Sequence, residues 1–130
     1  MHGEVINNLL DNGNVVIFIT SRGGEKFPGS EQVTFDYMRS HSVRYSKIIF
    51  DSHDKRNDCI INNIDIMIDD SIKNCELVSE CGIKTIVYNT EINKDTKTSV
   101  ERVNNWKELD EKIKKYSKSR VLKECNKEER

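Results

Sequence analysis

Three groups of polar residues lie at or just beyond the ends of short apolar segments, and their types suit phosphate chemistry. Thr20 and Ser21 form the first group, Lys55 the second, and the acidic pair Asp69-Asp70 the third. Hydroxyl and ammonium groups can bind phosphate oxygens, and carboxylates can bind Mg²⁺. Together the three groups indicate a site for a phosphoryl group and a divalent cation.

Each group also has an explanation that involves no function. Thr20 could simply end a strand, and Ser21 could form a hydrogen bond within a turn. Lys55 could be a solvated surface lysine, and Asp69-Asp70 could stabilise a helix N-terminus, where carboxylates are favoured. The combination of the three types, each in a similar position after an apolar segment, favours the functional interpretation.

The elements that must position these groups alternate between strands and helices. Residues 15–19 are apolar throughout, which predicts a strand with both faces buried, as in a parallel sheet covered by helices. Three more strands are predicted at 47–50, 65–68 and 84–88. The predicted fold is therefore α/β with one mostly parallel sheet. Because ligands bind beyond the carboxyl ends of such strands, we expect the three groups to line one rim.

Helices are predicted before and between these strands. Ser30 is expected to cap the second helix and Ser71 the fourth. The segment 89–99 is expected to be irregular, and the last helix should turn Leu109, Ile113 and Tyr116 inward. Residues 1–117 are expected to form the core and 118–130 a charged tail. The predicted helices cover residues 3–11, 31–40, 55–63, 72–81 and 106–116.

Composition excludes several classes of protein. The formal net charge is −1, without the basic surplus that binding to nucleic acid needs. The apolar runs are too short to span a bilayer. The four cysteines have no metal-knuckle spacing, which favours reduced thiols in a cytoplasmic protein.

The residues named above resemble three sequence motifs of one superfamily. The order VVIFITSR, HDK and IDIMIDDS is similar to motifs two, three and four of the haloacid dehalogenase superfamily. The resemblance implies a Rossmann-like core in which Thr20 binds the transferring phosphoryl group. It also implies that Lys55 neutralises charge on the nucleophile and the phosphate, and that Asp69 or Asp70 holds Mg²⁺. It leaves open which of the two carboxylates binds the metal.

Further segments narrow the resemblance to one branch of the superfamily. The segments VRYSKIIFDSHDK, CGIKTIVYNT and VNNWKEL are similar to bacterial proteins assigned as 5′-nucleotidases of the cytosolic deoxynucleotidase type. The implied activity is Mg²⁺-dependent hydrolysis of a phosphorylated small molecule, with a nucleoside monophosphate as the expected substrate.

One motif of the superfamily is missing from the 130 residues. Motif one is Asp-x-Asp at the end of the first strand, and its first Asp is the nucleophile. No Asp-x-Asp occurs in the sequence, and the run from Asp51 to Asp54 has the wrong spacing. We therefore expect the chain to begin after the nucleophile strand and most of a cap. In the superfamily that strand lies between the strands of motifs two and four, so its absence should leave open strand edges and favour self-association.

Three interpretations follow from this pattern. The first is a nucleotidase whose nucleophile segment is absent from these residues. The second is a non-catalytic remnant or subunit that binds phosphate or a partner chain without turnover. The third is a phosphoacceptor receiver domain, which the motif order disfavours because a receiver places its acidic pair first and its lysine last. Residues 1–130 alone are expected to be inactive under either of the first two.

Overall fold

The computed structural model describes residues 2–25 and 28–128, with side chains described over 3–25 and 28–117. Within this part of the chain, helices and strands alternate, apart from two consecutive strands near the end. The helices are α1 (His2–Asp11), α2 (Ser30–Ser40), α3 (Lys55–Ile61), α4 (Ile72–Ser79) and α5 (Trp106–Glu128). The strands are β1 (Ile17–Ile19), β2 (Lys47–Ile49), β3 (Ile66–Asp69), β4 (Lys84–Tyr88) and β5 (Glu101–Val103).

The strands form two parallel sheets in two compact units. The first unit ends at Ile64 and contains the sheet β1-β2, and the second begins at Asp65 and contains the sheet β3-β4-β5. Every strand pair is parallel, which confirms the predicted α/β class. The expectation of one sheet of four strands was wrong, because the strands divide between two sheets and β5 adds a fifth.

The core of the first unit lies between its helices and the β1-β2 sheet. Ile6 on α1 and Val43 after α2 are buried. Phe35 on α2 packs against Phe50 with ring centroids 5.4 Å apart and against Tyr45 at 6.4 Å. These ring contacts hold α2 against the residues on either side of β2.

The prediction that residues 15–19 are buried on both faces was wrong. The strand covers Ile17–Ile19 only, its three residues are half-buried, and Val15 is 75% exposed. The pairing begins at Ile17, opposite Lys47, so Val15 lies before the ladder. Within the described residues β1 has a single partner strand, and one partner cannot cover a strand as the interior of a wide sheet does.

The second unit is built around β4. Ile86 and Val87 are fully buried in this strand, which has β3 on one side and β5 on the other. The helices contribute the rest of a continuous core, as the apolar pattern of the last helix predicted for Leu109 and Ile113. The other buried apolar residues of this unit are Met67, Cys75, Val78, Val103, Leu109 and Ile113.

Helix ends follow local signals with one correction. Gly13 has a φ of 87°, and Asn14 N–H donates to the carbonyl oxygen of Leu9 at 3.0 Å, so α1 ends at Asp11, as the predicted helix over residues 3–11 does. Ser30 was expected to cap α2, but it is the first helical residue and Gly29 occupies the cap position. Gly29 has a φ of 82°, which a residue with a side chain rarely adopts.

The last two elements differ most from the prediction. β5 lies just after the segment 89–99 and was not predicted. The helix α5 continues to Glu128, well past residue 116. The predicted tail 118–130 lies outside the described side chains, and its boundary stays a prediction. No helix in the described part of the chain is long and apolar enough to cross a membrane.

The described cysteines are free thiols with different exposure. Cys59 on α3 and Cys75 on α4 are fully buried, while Cys81 is exposed. The first lies in the first unit and the other two in the second.

Candidate functional site

Thr20 lies directly after β1, and hydrogen bonds on both sides fix its backbone. Its N–H donates to the carbonyl oxygen of Ile49 at 3.0 Å, and its own carbonyl oxygen accepts from the N–H of Ser52 at 2.9 Å. The Oγ1 atom accepts from the N–H of Arg22 at 3.1 Å. The hydroxyl is therefore oriented by its own turn and keeps its O–H to donate to a ligand.

The loop after β1 packs closely against the loop after β2. The N–H of Asp51 donates to the carbonyl oxygen of Arg22 at 2.6 Å. A Cβ atom at Gly23 would lie 2.8 Å from Cβ of Phe50, and one at Gly24 would lie 2.6 Å from Oδ2 of Asp51. Both glycines also have positive φ, 104° and 70°. The close approach to Phe50 therefore favours glycine at Gly23, and the positive φ favours it at both positions.

Lys55 is the first residue of α3 and is half-buried. The loop before it is fixed by side chains: Ser52, 7% exposed, donates its hydroxyl to Oδ2 of Asp58 at 2.5 Å. Asp54 caps α3 by accepting the N–H of Asn57 at 3.1 Å. These bonds hold the backbone of Lys55 close to the carboxyl end of β2, at the same edge of the sheet as Thr20.

The acidic pair lies at the carboxyl end of a strand in the second unit, and hydrogen bonds fix its first residue. Asp69 is the last residue of β3 and is half-buried; its Oδ1 accepts from the N–H of Ser71 at 3.1 Å and its Oδ2 from Nδ2 of Asn74 at 3.3 Å. Ser71 caps α4 as predicted, by accepting the N–H of Asn74 at 3.3 Å. The Asp69 carboxylate is thus tied to the first turn of α4, whereas Asp70 is exposed.

Asn93 is a residue of this region that sequence reasoning missed. It is buried, and its Nδ2 donates to the carbonyl oxygen of Asp70 at 2.7 Å and to that of Tyr88 at 3.0 Å. It lies in the polar segment 89–99, which was predicted only to be irregular. Nothing in the residue type or spacing separates it from Asn89, the other asparagine of this segment.

The structure places the predicted residues as follows. Thr20 lies in the loop after β1 and Lys55 at the start of α3, both at one edge of the β1-β2 sheet, with Ser21 exposed beside Thr20. Asp69 and Asp70 lie at the carboxyl end of β3 in the second unit. The prediction that all of them line one cleft stays a prediction.

A family model matches most of the chain. The model described as 5′ nucleotidase, deoxy (pyrimidine), cytosolic type C matches residues 2–119. The chain belongs to this family. No curated protein and no solved structure was found to match it.

Membership in this nucleotidase family covers both units and all of the predicted site residues. It confirms the suspected resemblance to 5′-nucleotidases of the haloacid dehalogenase type. It also makes the chain part of a nucleotidase-type phosphohydrolase family, for which the substrate is a nucleoside monophosphate.

The acidic pair at the end of β3 offers oxygen ligands of the kind that a metal ion requires. Among the described residues, no three His, Cys, Asp or Glu side chains gather into a metal-binding group. Mg²⁺ does not require such a cage, because it is commonly held by one or two carboxylates with phosphate oxygens and waters completing the octahedron. The carboxylates of Asp69 and Asp70, which follow each other in the chain, are therefore of the ligand type that Mg²⁺ prefers.

Proposed function

We propose that this chain supplies the phosphate-binding and Mg²⁺-binding residues of a cytoplasmic 5′-(deoxy)nucleotidase, which hydrolyses the phosphate ester of a nucleoside monophosphate. The observation that carries the proposal is the family match over residues 2–119, which includes all three polar groups. The hydrogen-bonded loop geometry around Thr20 and Lys55 supports it, because a phosphate site needs donors held in fixed positions.

Thr20, Ser21 and Lys55 are assigned to the phosphoryl group. The Thr20 hydroxyl is oriented by the Arg22 N–H and can donate to a phosphate oxygen. The exposed Ser21 hydroxyl lies beside it. The Lys55 ammonium supplies the positive charge that a phosphate dianion and a developing oxyanion both favour.

Asp70 is assigned as the Mg²⁺ ligand and Asp69 as the residue that supports it. Both oxygens of Asp69 already accept hydrogen bonds from the first turn of α4, while the Asp70 side chain is exposed. When bound, Mg²⁺ neutralises charge on the phosphoryl oxygens and orients them. Asp69 would keep the turn fixed, so that the neighbouring carboxylate does not have to reorganise on binding.

These 130 residues are proposed to bind substrate without hydrolysing it. The sequence contains no Asp-x-Asp, and the Asp51 carboxylate pairs with Nε2 of His53 at 3.2 Å. A hydroxyl, an ammonium group and metal-binding carboxylates stabilise a phosphoryl group but provide no covalent nucleophile of the kind this superfamily uses. This observation also favours a second candidate function, a non-catalytic subunit or remnant that binds phosphate.

Binding of inorganic phosphate and thymidine 5′-monophosphate to residues 1–130, measured calorimetrically with Mg²⁺ present, tests the assignment. Thr20→Val should weaken binding by about tenfold, the equivalent of one hydrogen bond to a charged group. Lys55→Met should weaken it further. Thr34→Val is a matched control, since the Thr34 hydroxyl, in the described contacts, donates to the Ser30 carbonyl on α2 at 2.9 Å.

The proposed phosphate site is wrong if Thr20→Val and Lys55→Met bind both probes as tightly as the wild type does. A separate observation, the coding sequence upstream of Met1, distinguishes the two candidate functions. An in-frame Asp-x-Asp-x-Thr supports the enzyme, and an unrelated or closed reading frame supports the non-catalytic protein.

A further inference from the structure

The segment between β4 and β5 is organised around one buried side chain. Asn93 is 6% exposed, and its amide uses donor and acceptor atoms at once. Nδ2 donates to the carbonyl oxygens of Asp70 at 2.7 Å and Tyr88 at 3.0 Å, while Oδ1 accepts the N–H of Thr90 at 2.9 Å. A buried amide that is satisfied in this way fixes the three backbone groups relative to one another.

The backbone of Asn93 is held as firmly as its side chain. Its N–H donates to Oγ1 of Thr90 at 3.2 Å, which closes a reciprocal pair of bonds between the two residues. Its carbonyl oxygen accepts from the guanidinium of Arg102 on β5, at 3.3 Å and 3.4 Å. The same guanidinium donates to Oδ1 of Asn89 at 2.7 Å. These bonds fix the backbone of Asn93, and so they fix the position from which its side chain donates to the Asp70 carbonyl.

We propose that Asn93 is a positioning residue, which fixes the backbone of Asp70 and so holds its carboxylate in place for Mg²⁺. The inference rests on the proposed metal role of Asp70. It adds a residue from a different loop to the site, one that touches neither metal nor substrate. Within the described contacts, the Asn93 side chain connects the end of β4 to the acidic turn, because its Nδ2 donates to the carbonyl oxygens of both Tyr88 and Asp70.

The energetic argument is one of preorganisation. The turn at Asp70 follows the end of β3, and Asp69 already anchors one side of it to α4. Asn93 anchors the other side to β4. Without Asn93, the Asp70 carbonyl loses a buried donor and the turn gains freedom, which metal binding must then remove. Residues that orient metal ligands in this way typically change metal affinity by about 10–100-fold when they are replaced.

Titration of ¹⁵N-labelled residues 1–130 with Mg²⁺ alone, followed through amide signals, tests the inference. Asn93→Ala should raise the dissociation constant for Mg²⁺ about tenfold or more. Asn89→Ala is the matched control. It also removes two side-chain hydrogen bonds in the same loop, to Asn104 and Arg102, but none to the acidic turn. It should change the dissociation constant by less than about twofold, since it leaves the bond from Asn93 to the Asp70 carbonyl in place.

Hydrogen exchange of the β4 amides checks that each variant is folded. If Asn93→Ala does not fold, Thr90→Val gives the milder perturbation, because it removes only the hydroxyl that accepts the Asn93 N–H. It should then weaken Mg²⁺ binding by a few-fold, the equivalent of part of one hydrogen bond.

The outcomes separate this inference from the proposed function. If the wild type binds Mg²⁺ and Asp70→Asn abolishes binding, while Asn93→Ala and Thr90→Val bind as the wild type does, Asn93 is not a positioning residue. If the wild type shows no Mg²⁺-dependent shifts at millimolar concentration, the metal role of Asp70 fails, and this inference fails with it. Equal weakening by Asn93→Ala and Asn89→Ala would assign the effect to the loop as a whole and would also overturn the role of Asn93.

Discussion

Replacing Glu101 by Gln should destabilise the second unit in a pH-dependent way. Glu101 is the first residue of β5 and accepts hydrogen bonds from Lys84 Nζ at 2.8 Å, from Lys112 Nζ at 2.5 Å and from the Tyr116 hydroxyl. Partial burial raises the pKa of the Glu101 carboxyl, but hydrogen bonds from Lys112, Lys84 and Tyr116 outweigh it and lower that pKa to about 2.

The magnitude follows from the difference between the folded and unfolded pKa values. A fall from 4.5 to about 2 corresponds to at most roughly 3 kcal/mol of stability at neutral pH. Solvent screens a cluster at the rim of a sheet, so about 1–2 kcal/mol is the expected contribution. Because the folded pKa is the lower one, this stability is present above pH 4.5 and is lost as the pH falls towards 2.

Urea unfolding followed by tryptophan fluorescence is the appropriate assay. Trp106, the single tryptophan, lies at the start of α5 and packs against Tyr88 with ring centroids 5.7 Å apart, so its signal reports on the second unit. Glu101→Gln should lower the free energy of unfolding at pH 7 by about 1–2 kcal/mol, and the difference from the wild type should shrink steadily below pH 4.5.

A matched control is Glu91→Gln, which removes an exposed ion pair with Lys94 at 2.8 Å. Exposed pairs contribute little, so its effect should stay below about 0.5 kcal/mol at every pH. The reasoning about Glu101 is refuted if Glu101→Gln and the wild type differ by the same amount at pH 7 and at pH 3, or if they do not differ at all.

Three further outcomes are expected. Purified residues 1–130 should not hydrolyse deoxynucleoside monophosphates above background in a phosphate-release assay; robust turnover that Asp51→Asn abolishes would reveal a nucleophile there. Ser71→Ala should cost about 1 kcal/mol, because it removes the cap on the Asn74 N–H, and a fluorescence-detected urea midpoint equal to that of the wild type would argue against the cap. Gly24→Ala, at a φ of 70° and with its new Cβ 2.6 Å from Oδ2 of Asp51, should weaken phosphate binding by disturbing the loop that carries Thr20; unchanged calorimetric affinity would show that the two loops can separate without effect.

Local chemistry explains which elements could be predicted from the sequence. Ser71 precedes an apolar-periodic run, and its hydroxyl caps α4 as this pattern indicates. Lys84–Tyr88 contains four consecutive β-branched or aromatic residues, and it forms the central strand of its sheet. In both cases one short stretch of residues carries enough information to fix the local conformation.

Where the prediction failed, the deciding feature lies outside the residues of the element itself. The residues of β5 read Glu-Arg-Val, which has no strand pattern; they form a strand because β4 offers an edge and because Lys84 and Lys112 pair with Glu101. Ser30 matches a cap as well as Ser71 does. It becomes the first helical residue instead, because the preceding Gly29 adopts a positive φ and takes the cap position.

The candidate site also contains residues that the sequence predicts and one that it does not. Thr20, Lys55 and the acidic pair could be selected because each follows an apolar run, and strand ends are where parallel sheets bind ligands. Asn93 could not, because its importance depends on a hydrogen bond to a carbonyl 23 residues away. Residues that support a site from another loop carry no local pattern.

Among the described residues, each unit contains one fully buried thiol, so the rate at which that thiol is modified reports how often its unit opens. Cys59 is sealed inside the first unit and Cys75 inside the second, whereas Cys81 stands exposed on the surface. A thiol reagent should modify Cys81 at once and reach the other two only when their surroundings open. Mass spectrometry of the labelled peptides would therefore time the opening of each half of the chain separately in one sample, without any added probe.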